Sequence, residues 1–257
     1  MTDATLAKRI VDALIRARTH GEAADLSTDL LNQVDVDTSL QVQQLTLAHL
    51  SGSVAAWKVA VLPDGMVLSA PVPDSLFFRS PADLPRDLYG QGGIECEIAF
   101  RIARDLPPRP TPYSRDDVAA CVESACVAVE VLNSRLATKF DSPRNAMLAD
   151  MLSNAALVVG DPVREWHGSN FRTIPVQLFV RGESVLSRQG GHPNGDPFDG
   201  VIALANHLAG RGLALKAGCY VTTGSFTGVH FATPGDEIRV SFCGFPDLRL
   251  TLGHHGR

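Results

Sequence analysis

Leu6, Ile10, Leu14 and Ala17 recur at helical spacing over residues 5 to 18, with charged residues between them, and predict one amphipathic helix. A second helix is predicted from Thr38 to Leu50, with Leu40, Leu47 and Leu50 as its apolar face. After "LSGS" the period shortens. Ala55–Leu62 and Met66–Ala70 read as two short strands, and the "PDG" between them is a hairpin turn. The division expected from this change of period is an N-terminal helical cap over residues 1–54 and a β-rich core over residues 55–257.

The strand predicted from Ile94 to Ala103 has two unlike faces. Ile94, Cys96, Ile98 and Phe100 share one side, whereas Glu95 and Glu97 project together from the other. After a proline-rich loop, Ser114 with Asp117 three residues on gives a capped helix start, and that helix is expected to end by Cys126. Val127, Val129 and Val131 then alternate as in a strand, which puts Glu130 on the opposite side. Further strands are predicted over Ile174–Val180, Cys219–Thr223, Glu237–Phe242 and Leu248–Leu252, and a helix over Phe198–Gly210. Short strands with few helices and no regular βα alternation give an α+β class.

Composition narrows the partners. The 257 residues, 45% of them hydrophobic, suffice for a sizeable core, and 23 Lys+Arg against 28 Asp+Glu give a net charge of −5 without a basic run. A nucleic-acid partner is not expected. The first twenty residues interrupt their apolar positions with Lys8, Arg9, Asp12 and Arg16, unlike a signal peptide, and no stretch approaches the roughly 20 apolar residues of a membrane span. The five cysteines form no Cys-x-x-Cys pair, so reduced thiols and a cytoplasmic location are expected, with no membrane partner.

Two glutamates on one strand face lie roughly 7 Å apart along the chain, and their repulsion calls for solvent, a proton or a cation. If the strand bearing Glu130 lies alongside, three carboxylates converge, and such an oxygen-only set suits Mg²⁺, Mn²⁺ or Ca²⁺. Spacing alone favours the wet face of an antiparallel strand over a metal site. Lys58 in "AAWKVAVL" shares a face with Ala56, opposite Trp57 and Val59, and is either a site lysine or one reaching past a sheet edge to water. "TTGSFTG" places hydroxyls and glycines at a strand end, fit for an oxyanion or simply for a turn.

"GIECEIAFRIARDLP", "DDVAACVESACVAVEVLNSR", "ADMLSNAALVVGDP" and "AGCYVTTGSFTGVHFATPGDEIRVSF" follow one another from about Ala55 to Phe242. In that order they resemble the 2-keto-4-pentenoate hydratase and 4-oxalocrotonate decarboxylase family of the fumarylacetoacetate hydrolase superfamily. The resemblance implies a mixed β-roll or sandwich core under an N-terminal helical cap. It implies a divalent metal, Mg²⁺ or Mn²⁺, on Glu95, Glu97 and Glu130. It also implies an active-site lysine at Lys58, an acidic partner at Asp74, substrate contacts from Thr223 and Ser225, and assembly into a homo-oligomer. The implied activity is hydration of a 2-hydroxy-2,4-dienoate to a 4-hydroxy-2-oxo acid, of the kind used in aromatic catabolism; the alternatives are decarboxylation of a 2-oxo acid, or ligand binding without turnover. His192 in "GGHPNGDP" receives no role. Asn133 and Met151 depart from the family pattern, which often has Asp at the first position and Asn at the second, and "WKVAVLPDG" lacks the usual Gly-Leu-Thr after the lysine.

Overall fold

The computed structural model describes residues 3–90, 92–254 and 256. The first period-two segments pair as predicted: β1 (Val54–Val61) and β2 (Val67–Pro73) are antiparallel around the "PDG" turn, where Gly65 takes φ 82°. Around them forms a mixed sheet in the order β2-β1-β10-β5-β6-β7-β3, with β3 at Phe77–Arg79, β5 at Gly93–Ile102 and β6 at Val122–Leu132. The remaining members are β7 at Asn154–Val159 and β10 at Tyr220–Thr222. The two-residue β11 (His230–Phe231) adds to β5. A second sheet runs β4-β13-β12-β8-β9, built from Ala82–Leu84, Leu248–Leu252, Glu237–Phe242, Pro175–Val180 and Glu183–Gln189 respectively. The α+β class is borne out, and parallel pairs (β1 with β10, β3 with β7, β4 with β13) mix with antiparallel ones.

The large sheet is covered on both faces. Ile94, Cys96, Ile98 and Phe100 of β5 and the three valines of β6 pack on one side with the second sheet and with α6 (Phe198–Gly210). The other side carries Ala56, Ala99, Cys126, Ala128, Leu157 and Tyr220, a layer of mainly small side chains. Helices α1 (Asp3–His20), α2 (Thr28–Leu31), α3 (Val36–Leu50) and α5 (Arg144–Ala149) share a separate core that includes Leu14, Val42, Leu136 and Ala149.

Two predictions need correction. The buried stripe of α3 is Thr38, Ser39, Val42, Gln43 and Thr46 rather than the leucines, and Leu45 is exposed. Gln43 Nε2 donates to Ser69 O at 3.1 Å and to Leu148 O at 2.7 Å, so α3 turns inward the face that satisfies carbonyls of its neighbours. The helix from Ser114 has its predicted capping box but stops at Ala119, as the five-residue α4 (Arg115–Ala119), and "VESACV" belongs to β6. With both faces of β6 buried, small residues replace the polar half of the alternation, and the period-two signal fades.

Where β6 ends, Arg135 and Asp150 form a buried ion pair, Nε to Oδ1 at 2.6 Å. The guanidinium also donates to Asp150 O at 2.6 Å, to Asn154 O at 2.8 Å and to Asn133 O, while Asp150 Oδ2 accepts from Arg135 N at 2.9 Å. One side chain thereby joins the end of β6 to the segment leading into β7. Removing one member of a buried pair leaves the other charge without a counterion. Arg135→Met is therefore expected to destabilise the protein by about 3–5 kcal/mol in urea denaturation, and a loss below about 1 kcal/mol would show that the pair only decorates the loop.

Candidate metal centre

Register brings the carboxylates together. β5 pairs antiparallel with β6, placing Glu95 directly across from Glu130 and Glu97 across from Ala128. An oxygen from each of Glu95, Glu97 and Glu130 lies within 4.8 Å of the others, with Glu97 and Glu130 buried and Glu95 half-buried. The valine row of β6 and the Ile94 row of β5 face the opposite core, so the three glutamates share the face lined by small residues.

Neighbouring side chains orient each acid. Thr222 Oγ1 donates to Glu97 Oε2, and Gly224 N donates to the same oxygen at 3.0 Å. Gly224 reaches that position with φ 111°, where a side chain would be strained. Asn154 Nδ2 donates to Glu130 Oε1 at 3.0 Å, and the Ser225 hydroxyl, which donates to Gly228 O at 3.3 Å, lies near Glu95. Lys58 Nζ pairs with Glu130 Oε1 and donates to Leu152 O at 2.7 Å. That carbonyl is held in place by an unusual stretch of backbone, since Met151, Leu152 and Ser153 have φ of 54°, 52° and 62°. Three successive left-handed non-glycine residues cost roughly 1–3 kcal/mol each and persist only where surrounding contacts fix them. The Arg135–Asp150 pair, immediately before this stretch, is such a contact.

The face carries an excess of negative charge. Burial first, then repulsion from Glu130, raises the Glu95 carboxyl to about 7, with Lys58 and Ser225 opposing. Burial and then the fields of Glu130 and Glu95 raise Glu97 to about 8, against the bonds from Thr222 and Gly224. Asn154 Oδ1 is also buried, with no partner among the described residues. The fit is to a hard divalent cation, because the set offers only oxygen, is already converged and is electrostatically short of positive charge.

The other predicted residues fall in different places. Thr223 is buried next to the cluster but turned away from it: its Oγ1 donates to Ile98 O at 3.1 Å, and its neighbour Thr222 supplies the contact to Glu97. Asp74 is exposed and accepts from Ser53 Oγ. It follows Pro73, which pairs with Val54, four residues along β1 from Lys58 and thus roughly 13 Å away. The structure does not bring Asp74 to the carboxylates. His192 braces the site from behind, with Nε2 donating to Thr223 O at 2.8 Å and Nδ1 accepting from Asn194 N at 3.3 Å. Sequence reading missed Thr222, Asn154, Leu152 and His192 as supporting residues, because each acts through strand register or a backbone carbonyl that spacing does not reveal.

No family model matches the chain. Among curated proteins it is 34% identical over 152 residues to 4-oxalocrotonate decarboxylase of Pseudomonas putida, covering 59% of this chain and 56% of that protein. The aligned region thus spans little more than half the length of that relative. Over 245 residues, 91% of each chain, it is 26% identical to 2-hydroxyhexa-2,4-dienoate hydratase of Comamonas testosteroni. In fold it is similar to 4-oxalocrotonate decarboxylase of Pseudomonas putida G7, a structure complexed with magnesium and adipate, with TM-score 0.80, 19% identity and 98% of both chains covered.

A pH signature follows from the carboxylates. Their pKa values are raised in the folded protein, so their stabilising effect is complete below the ordinary 4.5 and is lost as pH climbs through 7 to 8. The melting temperature of metal-free protein should fall between about pH 5.5 and about pH 8.5, and millimolar Mg²⁺ should recover more of it at the higher pH. Equal Mg²⁺ stabilisation at both pH values would contradict a site built on these acids.

Proposed function

We propose, from the premise that this chain belongs to the 2-keto-4-pentenoate hydratase and 4-oxalocrotonate decarboxylase family, that it is a metal-dependent hydratase. It adds water to a 2-hydroxy-2,4-dienoate, the enol of a 2-oxo-4-enoate, and yields a 4-hydroxy-2-oxo acid. The observation that carries this reading is the convergence of Glu95, Glu97 and Glu130 beside the ammonium of Lys58. These glutamates would hold Mg²⁺ or Mn²⁺, which would supply Lewis-acid stabilisation of charge at the substrate's 2-oxygen. Thr222 and Gly224 fix the Glu97 carboxylate, and Asn154 fixes that of Glu130.

Lys58 is the group placed to bind the substrate carboxylate or to move a proton during enol–keto tautomerisation. It is nearly buried, and two oxygens hold its amine on the carboxylate side of the sheet. Ser225, beside Glu95 and partly exposed, is the hydroxyl we assign to an incoming ligand; Thr223 acts by holding its loop to β5. Asp74 is assigned no step, since it is not among the acids whose oxygens converge. Assembly into a homo-oligomer is part of this reading, because β9 ends its sheet as an almost wholly exposed strand of the kind a second copy covers. Decarboxylation of a 2-oxo acid is the second reading, favoured by the 34% identity to a decarboxylase, and it demands the same stabilised enolate.

Incubation with Mg²⁺ and 2-hydroxypenta-2,4-dienoate should remove the dienol absorbance without releasing CO₂. Release of CO₂ from 4-oxalocrotonate, with the dienol untouched, would favour the second reading. Glu97→Ala should lose metal affinity and turnover together; retention of both would end the metal assignment. Lys58→Met keeps length and removes charge. Metal affinity should hold or rise, since a competing cation is gone, while turnover falls by on the order of 10²-fold. Normal turnover would remove Lys58 from the mechanism.

A further inference from the structure

The carboxylate cluster is sealed at one end and open at the other. Toward the C-terminal end of β5 its face is closed by Ala99, Cys126 and Ala128, all buried. Glu97 and Glu130 are buried as well, whereas Glu95 is half-buried, so access rises toward the start of β5. Gly93 stands there, two residues before Glu95 on the same face and roughly 7 Å along the strand.

The chain gathered around Gly93 is apolar. Leu132 pairs with Gly93 from β6 and Phe231 pairs with it from β11, so both side chains share the face of the glutamates. A Cβ on Gly93 would lie 3.3 Å from Leu132 Cβ, 3.3 Å from Val229 Cγ1 and 3.6 Å from Phe231 Cε1. The bare glycine lets these three side chains close over the strand beside Glu95. Leu132 is buried, but Val229 is 42% exposed and Phe231 59%, the most exposed large apolar side chain among the described residues. The segment that carries them is pinned to β5: Phe226 is buried and its N donates to Cys96 O at 2.8 Å, Cys96 N donates to Thr227 Oγ1 at 3.1 Å, and Ala232 N donates to Gly92 O at 2.8 Å. Single exposed apolar side chains are ordinary, but two held together at the open edge of a converged polar site mark a binding groove. This rim has no cation for a second acid. Between Gly224 and Phe231 the chain carries no Lys or Arg, and His230 stands opposite Ile94, on the other side of β5. Arg86, in the segment leading into β5, lies over the Tyr89 ring at 5.0 Å and donates to Gly90 O at 3.4 Å.

We propose that Phe231 and Val229 determine specificity: they take the hydrocarbon end of a 2-oxo or 2-hydroxydienoic acid whose carboxylate end lies at the glutamate cluster. The roughly 7 Å from Glu95 to Gly93 is the reach of a few carbon–carbon bonds. Substrates ending in an alkyl or aryl group are favoured over those ending in a second carboxylate, which would be desolvated against an aromatic ring with no cation beside it. The inference rests on the proposed function for the head of the substrate and adds the class of its tail.

The test uses the full chain in millimolar Mg²⁺ and three saturated 2-oxo acids, which share the head group and have no double bond to hydrate: pyruvate, 2-oxohexanoate and 2-oxoadipate. Each is titrated by calorimetry into wild type, Phe231→Ser, Val229→Ser and Phe231→Lys. Both positions are exposed, so the variants leave the core intact. Wild type should bind 2-oxohexanoate about tenfold or more tighter than either pyruvate or 2-oxoadipate. Each serine variant should narrow that gap severalfold, and Phe231→Lys should move the preference toward 2-oxoadipate. Absence of Mg²⁺-dependent binding of all three acids, equal binding of the three by wild type, or gaps that no variant changes would each overturn the proposal. A change of mass by light scattering in Phe231→Ser, with the gaps intact, would make Phe231 a contact between copies and overturn it as well. Turnover of 2-hydroxypenta-2,4-dienoate by wild type judges the hydratase reading separately. A binding gap without turnover supports the rim and ends that reading; turnover with equal binding does the reverse.

Discussion

Everything at the centre depends on the register of β5 against β6. Set as it is, Glu95 faces Glu130 across the ladder and Glu97 stands one pleat further on the same side. A slip of one residue would send β5's two carboxylates into the core between the sheets and bring Ile94, Cys96 and Ile98 to the other face. The apolar rows of both strands therefore enforce a confrontation of like charges that no local preference would choose. The burial of Ile94, Cys96, Ile98, Val127, Val129 and Val131 offsets the repulsion, at roughly 1.5–3 kcal/mol for each large aliphatic side chain. The site is held together by the side of the sheet that never touches it.

A second device sets the position of the cation. Lys58 comes from β1, which is separated from β5 by β10. Its amine is drawn to Glu130 and to the Leu152 carbonyl on the far side of the cluster. That carbonyl belongs to three residues in left-handed conformation, and the Arg135–Asp150 pair clamps the entry to this run while Asn154 closes its exit on Glu130. Strain in the backbone, a buried ion pair and the Lys58 ammonium thus form one chain of contacts. Asn133 belongs to it as well: its Nδ2 donates to Leu88 O at 3.2 Å, a bond that a carboxylate at this position could not make.

Alternation made the two faces of β5 legible, and with them the acids at 95 and 97, because one face of that strand is continuously apolar. Glu130 was legible only as a strand residue; its meeting with Glu95 needed the pairing partner, which period-two reasoning does not supply. Thr222 and Thr223 illustrate the same limit. Both are buried hydroxyls, and only the parity of β10 decides that the first reaches Glu97 while the second turns to Ile98 O. The inward face of α3 was misread for a different reason: its buried residues are chosen by carbonyls on β2 and α5, so hydrophobicity pointed to leucines that lie nearer the surface. Asp74 was a site acid only by resemblance, and the fold sets it just after Pro73, which pairs with Val54 at the start of β1.

Charge balance ties the cluster to the ion it is proposed to hold. Three glutamates face one lysine, so the pocket is short by two positive charges when all four groups are ionised. A monovalent ion would leave one negative charge buried, and the carboxyls would then remain partly protonated, as their raised pKa values indicate for the protein alone. A divalent ion would close the deficit and let Glu95 and Glu97 ionise, coupling ion binding to proton release. With a divalent ion on the three glutamates the charges of the site would sum to zero, so a substrate carboxylate would not be needed to balance a net charge. On the proposed reading the Lys58 ammonium would then be the one positive charge of the protein beside the ion, and β1 places it on that side of the sheet.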